Sequence, residues 1–280
     1  MIKVYCNAPL PFRGQKRNFI RLYKEVLDGI SSSIDTVVDM FGGSGILSRV
    51  TKDILPSCKV VYNDYDHYCN RLDNIATTNT LINTIYKMVN GIVYYKKHIP
   101  NDLKNKILDI ILKTEQSNTY VDYLTISQNI CFSNHYVNCF EELKKETLYN
   151  MVRTNDYSCS NYLDGLDVVH KDYLDLYKDY NNDHTMFILD PPYMNTDNTG
   201  YCSGSEWSIK EYLDIITLFN DKKYIMFTSN KSNIVELCNW INTNTSTRLL
   251  DGTRIYERNN CVTRNANYQD IMIVNNSIYS

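Results

Sequence analysis

The sequence predicts an α/β fold built on a doubly wound, mainly parallel sheet. Short apolar runs that end at an acid recur along the chain, as in Val37–Asp39, Val60–Asp64 and Phe187–Asp190. Segments with helical spacing of apolar residues separate these runs, and the glycine-rich stretch Phe41–Gly45 joins the first run to such a segment. Strands that alternate with helices favour a parallel sheet covered on both faces. Ligands of such sheets bind at the carboxyl ends of the strands.

The predicted elements follow one another in a regular order. Apolar residues at helical spacing between Phe19 and Leu27 indicate a helix behind a loop at residues 7–16 that proline and glycine punctuate. The alternating pattern of residues 248–274 predicts a hairpin that closes one sheet edge. The other predicted elements are the strands Thr36–Met40, Lys59–Tyr62, Leu166–Val169, Thr185–Leu189 and Lys223–Thr228, and the later helices Ser208–Phe219 and Asn233–Ile241.

The middle of the chain lacks the strand-and-acid pattern. Helical runs such as Leu103–Leu112 and Phe140–Met151 dominate there, with no glycine-rich turn. We therefore expect a sheet domain formed by residues 1–72 and 161–280, interrupted by a mostly helical insertion over residues 73–160.

Composition excludes few classes of protein. The chain has 280 residues with a formal net charge of −3, so any nucleic-acid surface must be a local basic patch. Its nine cysteines form no CxxC pair, which favours reduced thiols in the cytoplasm and predicts no metal site. Residues 1–19 contain no apolar run typical of a leader, and no stretch is long and apolar enough for a membrane span.

The stretch Phe41–Gly45 has the spacing F-x-G-x-G after a predicted strand. Glycines let the backbone approach a ligand closely and expose N–H groups at the helix start. Ser48 stands where a dinucleotide fingerprint has its third glycine, so a nucleotide-like cofactor without a pyrophosphate is favoured over NAD. Asp64 follows the second strand and is placed to bind ribose hydroxyls, although Asp66 could do the same.

The segment Asp190-Pro191-Pro192-Tyr193 ends the strand Thr185–Leu189. Two prolines donate no N–H and fix a rigid extended turn, while their carbonyl groups stay free. A carboxylate, a proline carbonyl and an aromatic ring suit a flat group that carries an NH2. The alternative is an ordinary strand-terminating turn with a solvated acid.

Together these motifs resemble the Dam-like DNA adenine-N6 methyltransferases over nearly the whole chain and in that family's order. Residues 11–16 are similar to an aromatic-x-G-G-K segment in which Gln15 replaces a glycine, and residues 190–193 match the catalytic DPPY. The resemblance implies a class I methyltransferase fold, S-adenosylmethionine as cofactor, and Asp190, Pro191, Pro192 and Tyr193 as catalytic residues. The cofactor-binding residues that it implies are Phe12, Lys16, Asp39, Phe41, Gly43, Gly45, Asp64, Asp172, Tyr173 and Asp190.

The resemblance places a target-recognition domain at the insertion and implies double-stranded DNA as substrate, with a cognate restriction endonuclease as a further partner. Lysines cluster in the insertion with tyrosines near them, although a charged run is often only a solvated helix face. Residues 149–153 loosely resemble a Y/F-N-x-x-R hairpin, but the surrounding pattern predicts helix. The candidate DNA contacts are Arg13, Lys96, Lys97, Asn150 and Arg153.

The implied reaction is transfer of a methyl group to N6 of an adenine flipped out of the duplex, in a bacterial or phage-infected cell. Two alternatives within the reaction class are methylation of RNA adenine and of cytosine N4. An alternative from another class is a protein that keeps the fold and binds DNA without turnover.

Overall fold

The computed structural model describes residues 5–117, 119–132, 135–193, 207–263 and 266–280. They divide into two compact units. A sheet unit contains Gln15–Asp66 and Leu163–Ser280, and a helical unit contains Ala8–Gly14 and His67–Tyr162. Over these ranges, no helix is long and apolar enough to cross a membrane.

The sheet unit is an α/β layer structure around seven strands, in the order β3-β2-β1-β4-β5-β7-β6. Strands β1 to β5 run parallel, whereas β7 pairs antiparallel with β5 and with β6. The strands are β1 Thr36–Asp39, β2 Lys59–Asn63, β3 Leu166–Val169, β4 Thr185–Leu189, β5 Lys223–Ser229, β6 Thr253–Thr263 and β7 Ala266–Asn275. The predicted mainly parallel sheet and its closing hairpin are confirmed; residues 264–265 lie outside the described ranges.

The helices of the sheet unit are α1 Ile20–Leu27, α2 Ile46–Ile54, α8 Tyr173–Tyr180, α9 Ile209–Phe219 and α10 Ile234–Asn244. Helix α9 begins at a capping box in which Ser208 and Glu211 bond each other's backbone N–H groups. All five residues of β4 are buried, as expected for a strand with neighbours on both sides. Phe187 of β4 packs edge-on against Phe219 of α9 with ring centroids 4.9 Å apart, which fixes α9 on the sheet.

The helical unit contains α3 Tyr68–Asp73, α4 Ile75–Val89, α5 Asn101–Gln116, α6 Tyr123–Ile130 and α7 Phe140–Lys145. It has an apolar core of its own, to which Ile85, Ile107 and Ile126 contribute fully buried side chains. Each such side chain contributes roughly 1.5–3 kcal/mol to stability. The expected mostly helical character of this part of the chain is confirmed.

One helix prediction in this unit is wrong. The pattern at Phe140–Met151 predicts one helix, but α7 ends at Lys145 and Glu146 is already extended. Leu148 then forms a β-bridge with Cys131, and Tyr149 forms another with His98. The extended backbone is favoured because it buries Leu148 completely. The Ile99 N–H also donates to the Leu148 carbonyl at 2.8 Å.

Candidate active site

The acids predicted at strand ends meet at one edge of the sheet. In the sheet order, β1 lies between β2 and β4. Asp39 is the last residue of β1, Asp64 directly follows β2, and Asp190 directly follows β4. The register pairs Asp39 with Ile188, two residues before Asp190. From β1 the chain adds β2 and β3 on one side, and from β4 it adds β5 on the other side. The strand order therefore reverses between β1 and β4, and the crevice there is the topological switch point of the sheet.

Asp190 forms an ion pair with Lys16. The Lys16 ammonium lies 2.5 Å from Asp190 Oδ2, and its side chain is 7% exposed against 19% for Asp190. The same ammonium lies 5.3 Å from the centre of the Tyr193 ring. Burial raises the pKa of the Asp190 carboxyl above its ordinary value, and the positive charge of Lys16 opposes that rise.

Asp39 is a buried carboxyl with one oxygen in use. The Ser48 hydroxyl donates to Asp39 Oδ2 at 2.6 Å, while Oδ1 is buried and has no hydrogen-bond partner among the described residues. The pKa of Asp39 is raised to about 7, mainly by burial and in smaller part by the nearby charge of Asp190, while the Ser48 hydrogen bond and the charge of Lys16 oppose the rise. Ser48, which replaces the third glycine of a dinucleotide fingerprint, therefore anchors an acid of the site.

The glycine turn between β1 and α2 is shaped by Tyr62. A β-carbon at Gly42 would overlap the Tyr62 ring and would come within 2.9 Å of the Asn63 carbonyl oxygen. Gly45 caps α2 in the left-handed region with φ 71°, where a side chain is strained. The turn therefore needs glycine because the Tyr62 ring occupies the space of a side chain.

The Tyr62 hydroxyl links the turn to Asp64. It lies 2.8 Å from the Gly43 carbonyl oxygen and 3.0 Å from Asp64 Oδ1, and its proton can be donated to either acceptor. Asp64 follows β2 directly and is 7% exposed. The backbone of Asp64 is held on both sides, since its N–H donates to the Val169 carbonyl and its own carbonyl lies 3.0 Å from His170 Nδ1.

Asn63 ties three strand ends together. Its side-chain amide donates to the Met40 carbonyl and to the Lys171 carbonyl, each at 2.9 Å. Its oxygen accepts the Lys171 N–H at 3.0 Å. An amide with both ends satisfied is favourable in this fully buried position, and it fixes the loops after β1, β2 and β3 relative to one another.

An aromatic cluster covers Phe41. Its ring centroid lies 5.9 Å from that of Tyr173 and 5.5 Å from that of Trp207. Tyr173 and Trp207 are themselves 5.5 Å apart. Asp172, immediately before Tyr173, is exposed and caps α8 by accepting the Leu174 N–H at 2.8 Å.

Two residues of the proline-rich amino-terminal loop lie in the helical unit. Phe12 packs edge-on against Tyr68, with ring centroids 5.6 Å apart. Arg13 donates to the Tyr136 carbonyl at 3.1 Å and lies over the Tyr136 ring. Lys16, only a few residues later, is part of the sheet unit.

The other candidate DNA contacts also lie in the helical unit. Lys96 and Lys97 are exposed, whereas Asn150 is buried and donates to the Val93 carbonyl at 2.7 Å. Arg153 stacks on Tyr157, with its guanidinium carbon 3.8 Å from the ring centre. Asn150 therefore holds the chain near Val93 in this structure, while the two lysines face solvent.

Several residues of the site escaped prediction from sequence. Tyr62 and Asn63 carry a detectable signal, since both stand in the last two positions of a strand that leads to a predicted ligand-binding acid. Trp207 carries none, because its contact with Phe41 joins distant parts of the chain. Among the residues that the structure describes, no group of three or more His, Cys, Asp or Glu side chains is arranged to hold a metal ion.

Comparisons with known proteins agree with this geometry. Residues 12–263 match the family described as D12 class N6 adenine-specific DNA methyltransferase. A Haemophilus influenzae protein named "Putative methyltransferase" is 34% identical over 245 residues, which cover 85% of this chain and 81% of that protein. The family match spans the glycine turn, the acids at the strand ends and the Asp190–Tyr193 segment. The chain belongs to the D12 class of N6 adenine-specific DNA methyltransferases.

Proposed function

We propose that the chain transfers a methyl group from S-adenosylmethionine to N6 of an adenine flipped out of double-stranded DNA. The observation that carries the proposal is the position of Asp190 at the switch point of the sheet, where it is ion-paired with Lys16 and followed by Pro191, Pro192 and Tyr193. That position is where an α/β sheet holds its ligands.

The crevice fits a cofactor that carries positive charge. Asp39 and Asp190 bring two carboxyl groups to the site and Lys16 brings one ammonium, so the ionised site is net negative. The unpartnered, buried Oδ1 of Asp39 is suited to accept a hydrogen bond from an ammonium group. When bound, S-adenosylmethionine supplies an electrophilic methyl group on a sulfonium.

The nucleoside part of the cofactor has its own candidate residues. We assign the ribose hydroxyls to Asp64 rather than Asp66, since Asp64 is held by the Tyr62 hydroxyl and by the end of β3. Phe41 and Tyr173 offer ring faces for the adenine, and the turn at Gly43 and Gly45 allows a close backbone approach. Phe12, Lys16, Asp172 and Asp190 complete the proposed cofactor-binding set.

The catalytic residues orient the target amino group. The lone pair of N6 is delocalised into the adenine ring, so the nitrogen is a poor nucleophile while its hydrogens lie in the ring plane. Asp190 and the Pro191 carbonyl each accept one N–H, and Pro192 keeps the turn extended. Tyr193 stacks on the base, and the negative charge of Asp190 stabilises the positive charge that develops on the nitrogen. The carbon–sulfur bond breaks as the carbon–nitrogen bond forms, S-adenosylhomocysteine leaves, and the methylated nitrogen loses its extra proton to solvent.

We assign target recognition to the insertion at residues 73–160. The proposed DNA contacts are Arg13, Lys96, Lys97 and Arg153, with Asn150 acting through the backbone that it holds. The adenine must leave the duplex to reach a pocket at the sheet edge, so base flipping is part of the proposal. A cognate restriction endonuclease would fit such an enzyme.

The test is transfer of labelled methyl groups from S-adenosylmethionine to duplex DNA, to RNA and to G·C duplexes that contain no adenine. We expect label in DNA that contains adenine, recovered as N6-methyladenine. Asp190→Ala should abolish transfer and leave cofactor binding measurable, whereas the exposed Asp221→Ala should behave as wild type.

Other outcomes of this test separate the alternatives. Label in RNA or at cytosine N4 would replace the DNA adenine assignment. Tight DNA binding without transfer to any substrate would favour a binding protein with a methyltransferase fold. Unchanged turnover in Asp190→Ala would overturn the role of that carboxylate.

A further inference from the structure

The loop between α4 and α5 of the helical unit exposes large apolar side chains. Tyr94 is 87% exposed, Ile92 69% and Tyr95 61%. We call residues 91–98 the tyrosine loop. Contiguous exposed apolar surface on a protein marks sites of interaction.

The tyrosine loop is held in one shape by Asn150. The Lys96 N–H donates to the Asn150 carbonyl at 2.7 Å, and the Asn150 N–H donates to the Lys97 carbonyl at 2.9 Å. The side-chain amide of Asn150 donates to the carbonyl of buried Val93 at 2.7 Å. These hydrogen bonds hold Lys96 in the left-handed region of backbone conformation, with φ 64°. Rings presented on a fixed loop lose little entropy on binding.

The sequence that contains the loop carries charge of one sign. From Asn74 to Asn101 the sequence contains no Asp or Glu but has lysines at 87, 96 and 97, in a chain whose net charge is −3. The Lys96 ammonium lies 5.4 Å from the centre of the Tyr95 ring. Glu146, on the neighbouring segment, lies 3.1 Å from His135. A positive patch beside exposed rings is complementary to a polyanion that also offers flat bases.

A second aromatic group extends this surface. Tyr149 bridges to His98 at the end of the tyrosine loop, with the His98 ring edge-on at 5.9 Å between centroids. Phe132, itself 55% exposed, also packs against Tyr149, with ring centroids 5.2 Å apart. The aromatic surface therefore spans the loop and the adjoining bridged segments.

We propose that the tyrosine loop is a double-stranded-DNA-contacting element of this protein. Tyr94 and Tyr95 offer their rings to exposed bases of the DNA, and Lys96 and Lys97 contact the phosphates beside them. The proposal rests on the proposed function in taking DNA as the substrate, and Asn150 acts in it as a positioning residue.

The test is binding of a fluorescently labelled DNA duplex across a salt series. We expect Tyr94→Ala/Tyr95→Ala to bind roughly 5- to 100-fold more weakly with an unchanged salt slope. Lys96→Ala/Lys97→Ala should bind more weakly and reduce the slope of log K against log salt by about 2. Tyr94→Phe/Tyr95→Phe keeps the rings and should bind as wild type.

The matched control is Lys106→Ala/Lys113→Ala on α5, which removes two exposed lysines from the same unit. Loop variants that bind DNA as tightly as this control would overturn the proposal. Loop variants that bind duplex RNA more weakly but bind duplex DNA as wild type would also overturn it. Weakened DNA binding in the loop variants, when wild type transfers no methyl group, would uphold the loop and reject the proposed function. If wild type methylates DNA and the loop variants bind DNA normally, the proposed function is upheld and the role of the loop is rejected.

Discussion

The Lys16 ammonium lies 2.5 Å from Asp190 Oδ2 at the carboxyl end of the central strand β4. The two residues lie far apart in the sequence, and both side chains are largely buried. In the proposed reaction the same carboxylate accepts a hydrogen bond from the adenine amino group. Lys16 therefore favours the ionised form of Asp190 and opposes the effect of burial, which raises the pKa of its carboxyl.

Replacement of Lys16 should shift the pH dependence of methyl transfer. The ionised Asp190 is the stronger N–H acceptor and alone carries the negative charge that stabilises the developing positive charge, so the rate rises with pH through the pKa of its carboxyl. Lys16→Met removes the opposing charge and should move the acid limb of kcat/KM upward by about 1–3 pH units, with roughly tenfold lower activity per unit on that limb. Lys16→Arg should restore much of the profile. The control is Arg21→Met, which removes an exposed cation near Lys16 in sequence; an unshifted limb in Lys16→Met would contradict the electrostatic role.

Removal of the Tyr62 hydroxyl should weaken cofactor binding. Tyr62→Phe keeps the ring against Gly42 but loses the hydrogen bond shared by Gly43 and Asp64. We expect S-adenosylmethionine affinity, measured by calorimetry, to fall about 5- to 30-fold with little change in kcat. Tyr23→Phe is the matched control, since it removes a buried hydroxyl bonded to Thr51 within the same unit. Equal effects of both variants on affinity would show that Tyr62 acts only through stability.

Asp39 should make the stability of the sheet unit fall as pH rises. Burial raises its pKa from the ordinary 3.8 to about 7, so between these values the folded state binds more protons than the unfolded chain. The free energy of unfolding therefore decreases as pH rises through this window. Asp39→Asn removes the ionisation, so relative to wild type it should gain on the order of 2–4 kcal/mol between about pH 4 and pH 8. Denaturant unfolding without cofactor measures this difference, with Asp221→Asn as the exposed control; a flat difference would contradict the raised pKa.

Trp207 should report cofactor binding by its fluorescence. Its ring lies 5.5 Å from that of Phe41, the proposed partner of the cofactor adenine. The second tryptophan, Trp240, is 61% exposed and supplies the background signal. In Trp240→Phe, titration with S-adenosylhomocysteine should quench or shift the remaining emission in a saturable way. Phe41→Leu should lower the amplitude, and a Trp240→Phe protein with no spectral response would place the adenine away from this cluster.

Much of the fold was predictable because local patterns carry it. Continuous apolar residues predict a buried strand such as Thr185–Leu189, and the prolines that follow show where it ends. The glycine turn and the acids at the strand ends were predictable for the same reason. The segment after α7 was not, since Phe140–Met151 has helical spacing and only its pairing partners, Cys131 and His98, make the end of it extended.

The sequence by itself determined the α/β class, the order of the motifs and the residue types at each strand end, because these depend on neighbouring residues. Only the tertiary structure decided that Lys16 pairs with Asp190, that Tyr62 joins Gly43 to Asp64, and that Asn150 supports Val93 instead of facing solvent. Such contacts join residues far apart in the chain or on opposite sides of a turn. Burial then sets their energetics, so the raised pKa of Asp39 depends on the packing around it and not on its sequence neighbours.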